Sequence, residues 1–133
     1  MVRVGVIAVV LSCAFAAAAA AQESAAGDAA AGEKTFVICR ACHQIGPGAQ
    51  SVVGPSLNGV VGRKAGTYPG FQYSEANKNS GITWTPEQLD TYLTSPQTVV
   101  AGTKMLFPGL KDEQKRRNVI AFLEQFGPDG QKK

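Results

Sequence analysis

Three residues able to act on a metal or a carbon centre fall together in Cys39-Arg40-Ala41-Cys42-His43. Residues three apart share one face of a helical turn. Both sulfurs can therefore reach neighbouring carbons along one edge of a planar group, while the next residue turns its imidazole onto the centre. C-x-x-C-H is the pattern by which thioether bonds attach haem c. Two other chemistries use such a pair. A thioredoxin-like dithiol stands beside a strand-helix-strand unit, and no alternating strand precedes Cys39. Structural zinc takes four ligands, and after residue 21 the chain offers no other Cys or His. The thioether donors are as few, because apart from Met1 the chain holds one methionine, Met105. A loop methionine is ordinarily core filler. An iron bound by His43 on one side has a second axial position, however, and Met/His ligation raises the potential of an electron-carrying haem. The metal ligands expected are therefore His43 and Met105.

The elements that must position these groups are marked locally. Asp28 is an N-cap for a helix running to about Cys39, and Gly32 inside it costs ~1 kcal/mol relative to Ala, so a close packing partner is expected there. Thr85-Pro86-Glu87-Gln88 combines an N-cap, a proline at the first helical position and Gln three residues after the cap, which predicts a helix over Pro86 to about Thr94. Ser74 caps a short turn over Glu75 to Lys78. The last helix starts near Asp112, carries Val119, Ile120, Leu123 and Phe126 at helical spacing, and stops at Gly127-Pro128. Met105 falls in a loop bracketed by Pro96, Gly102, Pro108 and Gly109. Between Gln44 and Tyr73 the sequence is rich in Gly and Pro, and a loop that long argues against a compact domain unless it wraps a cofactor that supplies apolar surface. The fold class is all-α.

The N-terminus carries Arg3 and then no charge until Glu23, with Ala19 and Ala21 near the end of the apolar run. This reads as a secretory signal peptide over residues 1–21, expected to be cleaved before Gln22. An uncleaved anchor is the alternative, because the run approaches the ~18 residues of a membrane-span candidate, but Ala fills its second half. Residues 22–133 then form a single domain with short flexible ends, exported to the periplasm. The formal charge of +3 for the whole chain is mild, and Lys and Arg alternate with acids. No nucleic-acid partner is expected.

From Gly27 to about Phe126 the chain resembles a class I cytochrome c of the branch shared by bacterial cytochromes c2 and mitochondrial cytochrome c. The residues that carry the resemblance stand in the family's order. They are Gly32 with Phe36, the C-x-x-C-H run, Gly54-Pro55-Ser56-Leu57, Gly62-Arg63-Lys64-Ala65-Gly66, Tyr73 to Gly81, Trp84, Tyr92-Leu93, Pro96, Gly102 to Phe107 and Ile120-Ala121-Phe122-Leu123. The resemblance implies one haem c, covalent through Cys39 and Cys42, wrapped by long loops and shorter helices, with the terminal helices crossing at Gly32 against Phe122. It also implies that the Pro55 carbonyl accepts the second imidazole N–H of His43, which fixes the ring. Trp84, Tyr73 and Arg63 fall where the family contacts haem propionates. Tyr92 and Thr103 fall beside the axial methionine, and Phe107 near the exposed haem edge.

The expected function is that of a diffusible, monomeric single-electron carrier rather than an enzyme, with redox proteins as donor and acceptor, both at membrane-bound complexes. The lysine ring of the mitochondrial members is thin, because Ile38, Val52, Gln97 and Asp112 stand where lysine is usual, so apolar contact is expected to contribute to docking. Two other classes compete. An open iron would serve peroxidase or gas-binding chemistry and requires Met105 to be displaced. A subunit docked permanently to a larger enzyme would travel with it on a sizing column.

Overall fold

Asp28 decides where the first helix begins, since its Oδ1 accepts from the backbone N–H groups of Ala30 and Ala31. A computed structural model describes residues 26–133, so the expected signal segment and its cleavage position lie outside the described residues. Helix α1 spans Ala29–Thr35 and tightens into a 3₁₀ turn over Phe36–Ile38. The expected single helix to Cys39 therefore changes pitch before the cysteines. The tightening carries the chain into a further turn in which His43 N donates to Cys39 O at 2.9 Å.

Gly32 has the packing partner its presence demanded. A Cβ there would lie 1.9 Å from Asn118 O and 2.9 Å from Phe122 Cβ. The opposing helix, α5 over Glu113–Glu124, is capped by Asp112 and buries Val119, Ile120, Phe122 and Leu123. Phe36 is fully buried, its ring 5.2 Å from that of Phe122, which in turn lies 5.2 Å from Phe126. Burying one such side chain is worth ~1.5–3 kcal/mol, so the crossing repays the glycine. Asn118 adds a polar tie, its Oδ1 accepting from Asp28 N at 2.9 Å.

Between the terminal helices lie α2 over Glu75–Lys78, capped by Ser74, and α3 over Pro86–Thr94, capped by Thr85 and burying Leu89 and Tyr92. A further helix, α4 over Pro96–Val99, occupies the start of what the sequence marked only as loop. Pro96 explains both facts: it has no N–H to extend α3, and its fixed φ suits a first helical position. The Gly- and Pro-rich stretch is stitched rather than slack. Gly62 N donates to Trp84 O, Trp84 N to Arg63 O and Ala65 N to Ile82 O. The described residues contain isolated antiparallel bridges, Lys64 with Thr83 and Phe126 with Lys132, and no extended strand.

The C-terminal tail, expected from its composition to be a flexible end, turns back on the domain. Gly127 N bonds to Gln131 O and Lys133 N to Gln125 O. Gly130, at φ +79°, sits where a Cβ would be 2.3 Å from Gly46 O and 2.6 Å from Asn58 Nδ2. The backbone bonds and that close approach hold the tail, neither of which composition reports.

Candidate functional site

The helices and the stitched loop enclose a cavity of about 400 Å³ with a mainly apolar wall. Every residue nominated from the sequence lines it: Cys39, Cys42, His43, Pro55, Arg63, Tyr73, Trp84, Tyr92, Thr103, Met105 and Phe107. Positions scattered over about half of the chain, from Cys39 to Phe107, are thus brought to one surface.

His43 is held from two sides. Its Nδ1–H donates to Pro55 O at 2.7 Å, which leaves the Nε2 lone pair unused. Gly54 lies flat against the ring, its N–H bonded to Cys42 O at 2.8 Å, and a Cβ there would stand 2.4 Å from His43 Cε1. Burial pushes the imidazole below its ordinary pKa; the bond to Pro55 works against this, and the charge of Arg63 adds to it. The ring is therefore neutral near pH 7, the form able to bind a metal. Cys39 and Cys42 are not joined in a disulfide, which leaves both sulfurs available for bonding to another group. Burial first, and Cys42 second, push the Cys39 thiol up to about 11.

Met105 is oriented in the same way by a neighbour. Tyr92 Oη donates to Met105 Sδ at 3.3 Å, and Met105 N bonds to Thr103 Oγ1 at 3.2 Å. Burial raises the Tyr92 phenol above its ordinary value, with Thr103 opposing it, so the phenol keeps its proton and remains a donor. Trp84 stacks at a tilt on Tyr92, ring centroids 4.6 Å apart.

The polar groups on the wall are incompletely used. Arg63 donates through Nη1 to Asn58 O at 3.0 Å and through Nη2 to Ser56 O at 3.2 Å, and its guanidinium lies 4.9 Å from the Tyr68 ring. Its Nε is buried without a partner, as is Asn77 Oδ1. Trp84 makes no side-chain hydrogen bond among the described residues, and Tyr73 Oη accepts from Tyr68 N at 3.2 Å. Buried polar atoms are almost always paired. Donors left over on one wall, Arg63 Nε and the Trp84 indole N–H, suit a group that is apolar over most of its area and acidic at its edge. Haem, with vinyl groups for Cys39 and Cys42 and propionates toward Arg63, fits that description. Gly54 and Asn77 were not singled out from the sequence; Gly54 contributes a missing side chain against the imidazole, and Asn77 a place on the cavity wall that only folding gives it.

Residues 29–126 match the family model described as Cytochrome c. The chain belongs to the cytochrome c family. It is 55% identical over 119 residues to cytochrome c2 of Blastochloris viridis, covering 90% of this chain and 94% of the relative. It is 59% identical over 107 residues to cytochrome c2 of Rhodoblastus acidophilus, covering 80% and 100%. Among solved structures it is similar to cytochrome c2 from Rhodospirillum centenum, with a TM-score of 0.73 and 44% identity over 77% of this chain and 100% of that one. These matches place it in the c2 branch of the class I cytochromes c, whose fold it has. Its cofactor is haem c, bound covalently at Cys39 and Cys42, and the chain is an electron carrier of that family.

Proposed function

We propose that the chain is a monomeric periplasmic shuttle for single electrons, its haem iron ligated by His43 and Met105. The bound group supplies an iron that alternates between the ferric and ferrous states. The chain's residues do the rest. Pro55 fixes the ring and tautomer of His43, and Tyr92 orients the sulfur of Met105 and draws electron density from it. Arg63, Tyr73 and Trp84 take the propionates, while the apolar wall excludes water. The observation that carries this reading is the pair of tethers, His43 Nδ1 to Pro55 O and Tyr92 Oη to Met105 Sδ, on one cavity.

Docking follows from what surrounds the opening. The large exposed hydrophobics among the described residues are Val37, Ile38, Val52, Val53 and Leu106, with Leu106 84% exposed. Ile38, Val53 and Leu106 line the cavity itself, beside Phe107. An apolar rim of this kind supports short-lived association with redox proteins through desolvation, with a modest dependence of rate on salt. Met105→Ala tests the ligation. The ferric holoprotein should lose its weak red charge-transfer band, bind added imidazole and show a lower reduction potential, because a thioether favours ferrous iron. Retention of the band would assign the sixth position to another group.

A further inference from the structure

Met105 lies in a span, residues 101–109, that is tied to little along its own length. Thr103 N bonds to Val100 O, Met105 N to Thr103 Oγ1, and Lys104 Nζ reaches Gln72 O. The upstream end is fixed where buried Val100 donates to Pro96 O at 2.9 Å. The downstream end is fixed by another device. Leu110 N donates to Leu93 O at 2.7 Å, and Gly109 approaches Thr94 O so closely that a Cβ would stand 2.2 Å from it.

Two side chains tie this end to the rest of the protein: the exposed Lys111, whose Nζ donates to Thr94 O at 2.6 Å, and the buried Arg116. Arg116 on α5 is only 8% exposed. Its Nη1 donates to Leu110 O at 3.0 Å and to Lys111 O at 2.9 Å. Its Nε donates to Asp90 Oδ1 at 2.8 Å, and its Nη2 reaches Asp90 Oδ2 at 3.4 Å. Asp90 sits on α3, two residues before Tyr92, whose hydroxyl holds the sulfur. A single guanidinium thus joins the end of the methionine loop, the last helix and the helix that orients Met105.

We propose that the Asp90–Arg116 pair is the positioning device for the sixth ligand: it pins the downstream end of the methionine loop against α3 and so sets how rarely Met105 leaves the iron. The proposal rests on the reading of Met105 as that ligand. A segment of low local stability opens without global unfolding, and the span gains chain entropy once an end is freed. The planar fork of Arg satisfies two carbonyls and a carboxylate at once, which the single ammonium of Lys cannot do. Asp90→Asn leaves the buried guanidinium beside a neutral partner, so the cost falls on the same joint.

The test uses ferric holoprotein and saturating imidazole, with loss of the red band reporting release of the sulfur. Arg116→Lys and Asp90→Asn should speed displacement about tenfold or more, the effect of losing a charged hydrogen bond in the closed state only. Asp90→Glu, which keeps the charge, should return the rate to within about twofold of the parent. Asp28→Ala, which removes the cap of α1 away from this loop, should lower the unfolding midpoint and leave the displacement rate unchanged. Met105→Ala is run beside them. Parental rates in both joint variants, or acceleration no greater than Asp28→Ala gives, would overturn the proposal while Met105→Ala still abolishes the band. A band that survives Met105→Ala would instead overturn the ligand reading beneath it.

Discussion

Gly54→Ala probes the support of His43 with a single methyl group. The backbone at Gly54 has no positive φ, so alanine meets no conformational penalty. The new Cβ would lie 2.4 Å from His43 Cε1 and 2.7 Å from Nδ1, where ordinary contact begins at 3.4 Å. Ring or loop must yield by about 1 Å, an overpacking that costs ~1–3 kcal/mol. A displacement of that size, away from Gly54, takes the 2.7 Å bond to Pro55 O past hydrogen-bonding range, and an unsatisfied buried N–H adds ~1–3 kcal/mol. Together these give about 2–6 kcal/mol, or a melting temperature lower by roughly 10–25 °C for a domain of this size. The imidazole also loses the acceptor that raises its basicity, so ferric iron is less well stabilised and the reduction potential should rise. Calorimetry and redox titration of the holoprotein read the two effects. Gly48→Ala is the control, because Gly48 has φ +74° and nothing near its missing Cβ; it should cost about 1 kcal/mol and leave the potential alone. A Gly54→Ala holoprotein that melts and titrates like the parent would refute the account of how His43 is held.

Tyr92→Phe removes the donor 3.3 Å from Met105 Sδ; the red band should persist while the potential falls, because the sulfur becomes a better donor to ferric iron. Trp84→Phe keeps an aromatic ring against Tyr92 but deletes the indole N–H, and should lower the melting temperature by roughly 4–8 °C, the equivalent of about one buried hydrogen bond. No change there would mean that the indole has no buried acceptor in the holoprotein. Gly32→Ala gains ~1 kcal/mol of helix propensity yet places a methyl 1.9 Å from Asn118 O, a backbone atom that no rotamer can move. Net destabilisation is expected in a chemical unfolding curve, and a stabilised variant would show that the helices do not cross at that point.

What the sequence made legible was whatever has a local cause. The caps at Asp28, Ser74, Thr85 and Asp112 each bond within three residues of themselves, and all marked helix starts correctly. C-x-x-C-H is likewise a short-range pattern. The break in pitch at Phe36 and the helix over Pro96–Val99 were less visible, because tertiary packing selects between α, 3₁₀ and turn in segments of three or four residues. The joint of Asp90 with Arg116 spans 26 positions and reads from the sequence as two ordinary charges on polar faces. Gly54 stands inside a motif that pointed to Pro55, yet its own part depends on an imidazole brought to it through the fold. Residues that act by having no side chain, or by reaching far along the chain, leave no periodicity to read.

The tie between Asp28 N and Asn118 Oδ1 joins positions 90 apart, and Gly32 has no counterpart until Asn118 and Phe122 exist. A chain delivered from its N-terminus therefore offers Cys39, Cys42 and His43 to solvent long before the helix that closes over them has emerged. Late, non-local closure of this kind is slow. It also makes truncation asymmetric: a chain ending short of residue 118 keeps Cys39, Cys42 and His43 but lacks the helix residues that pack against Gly32.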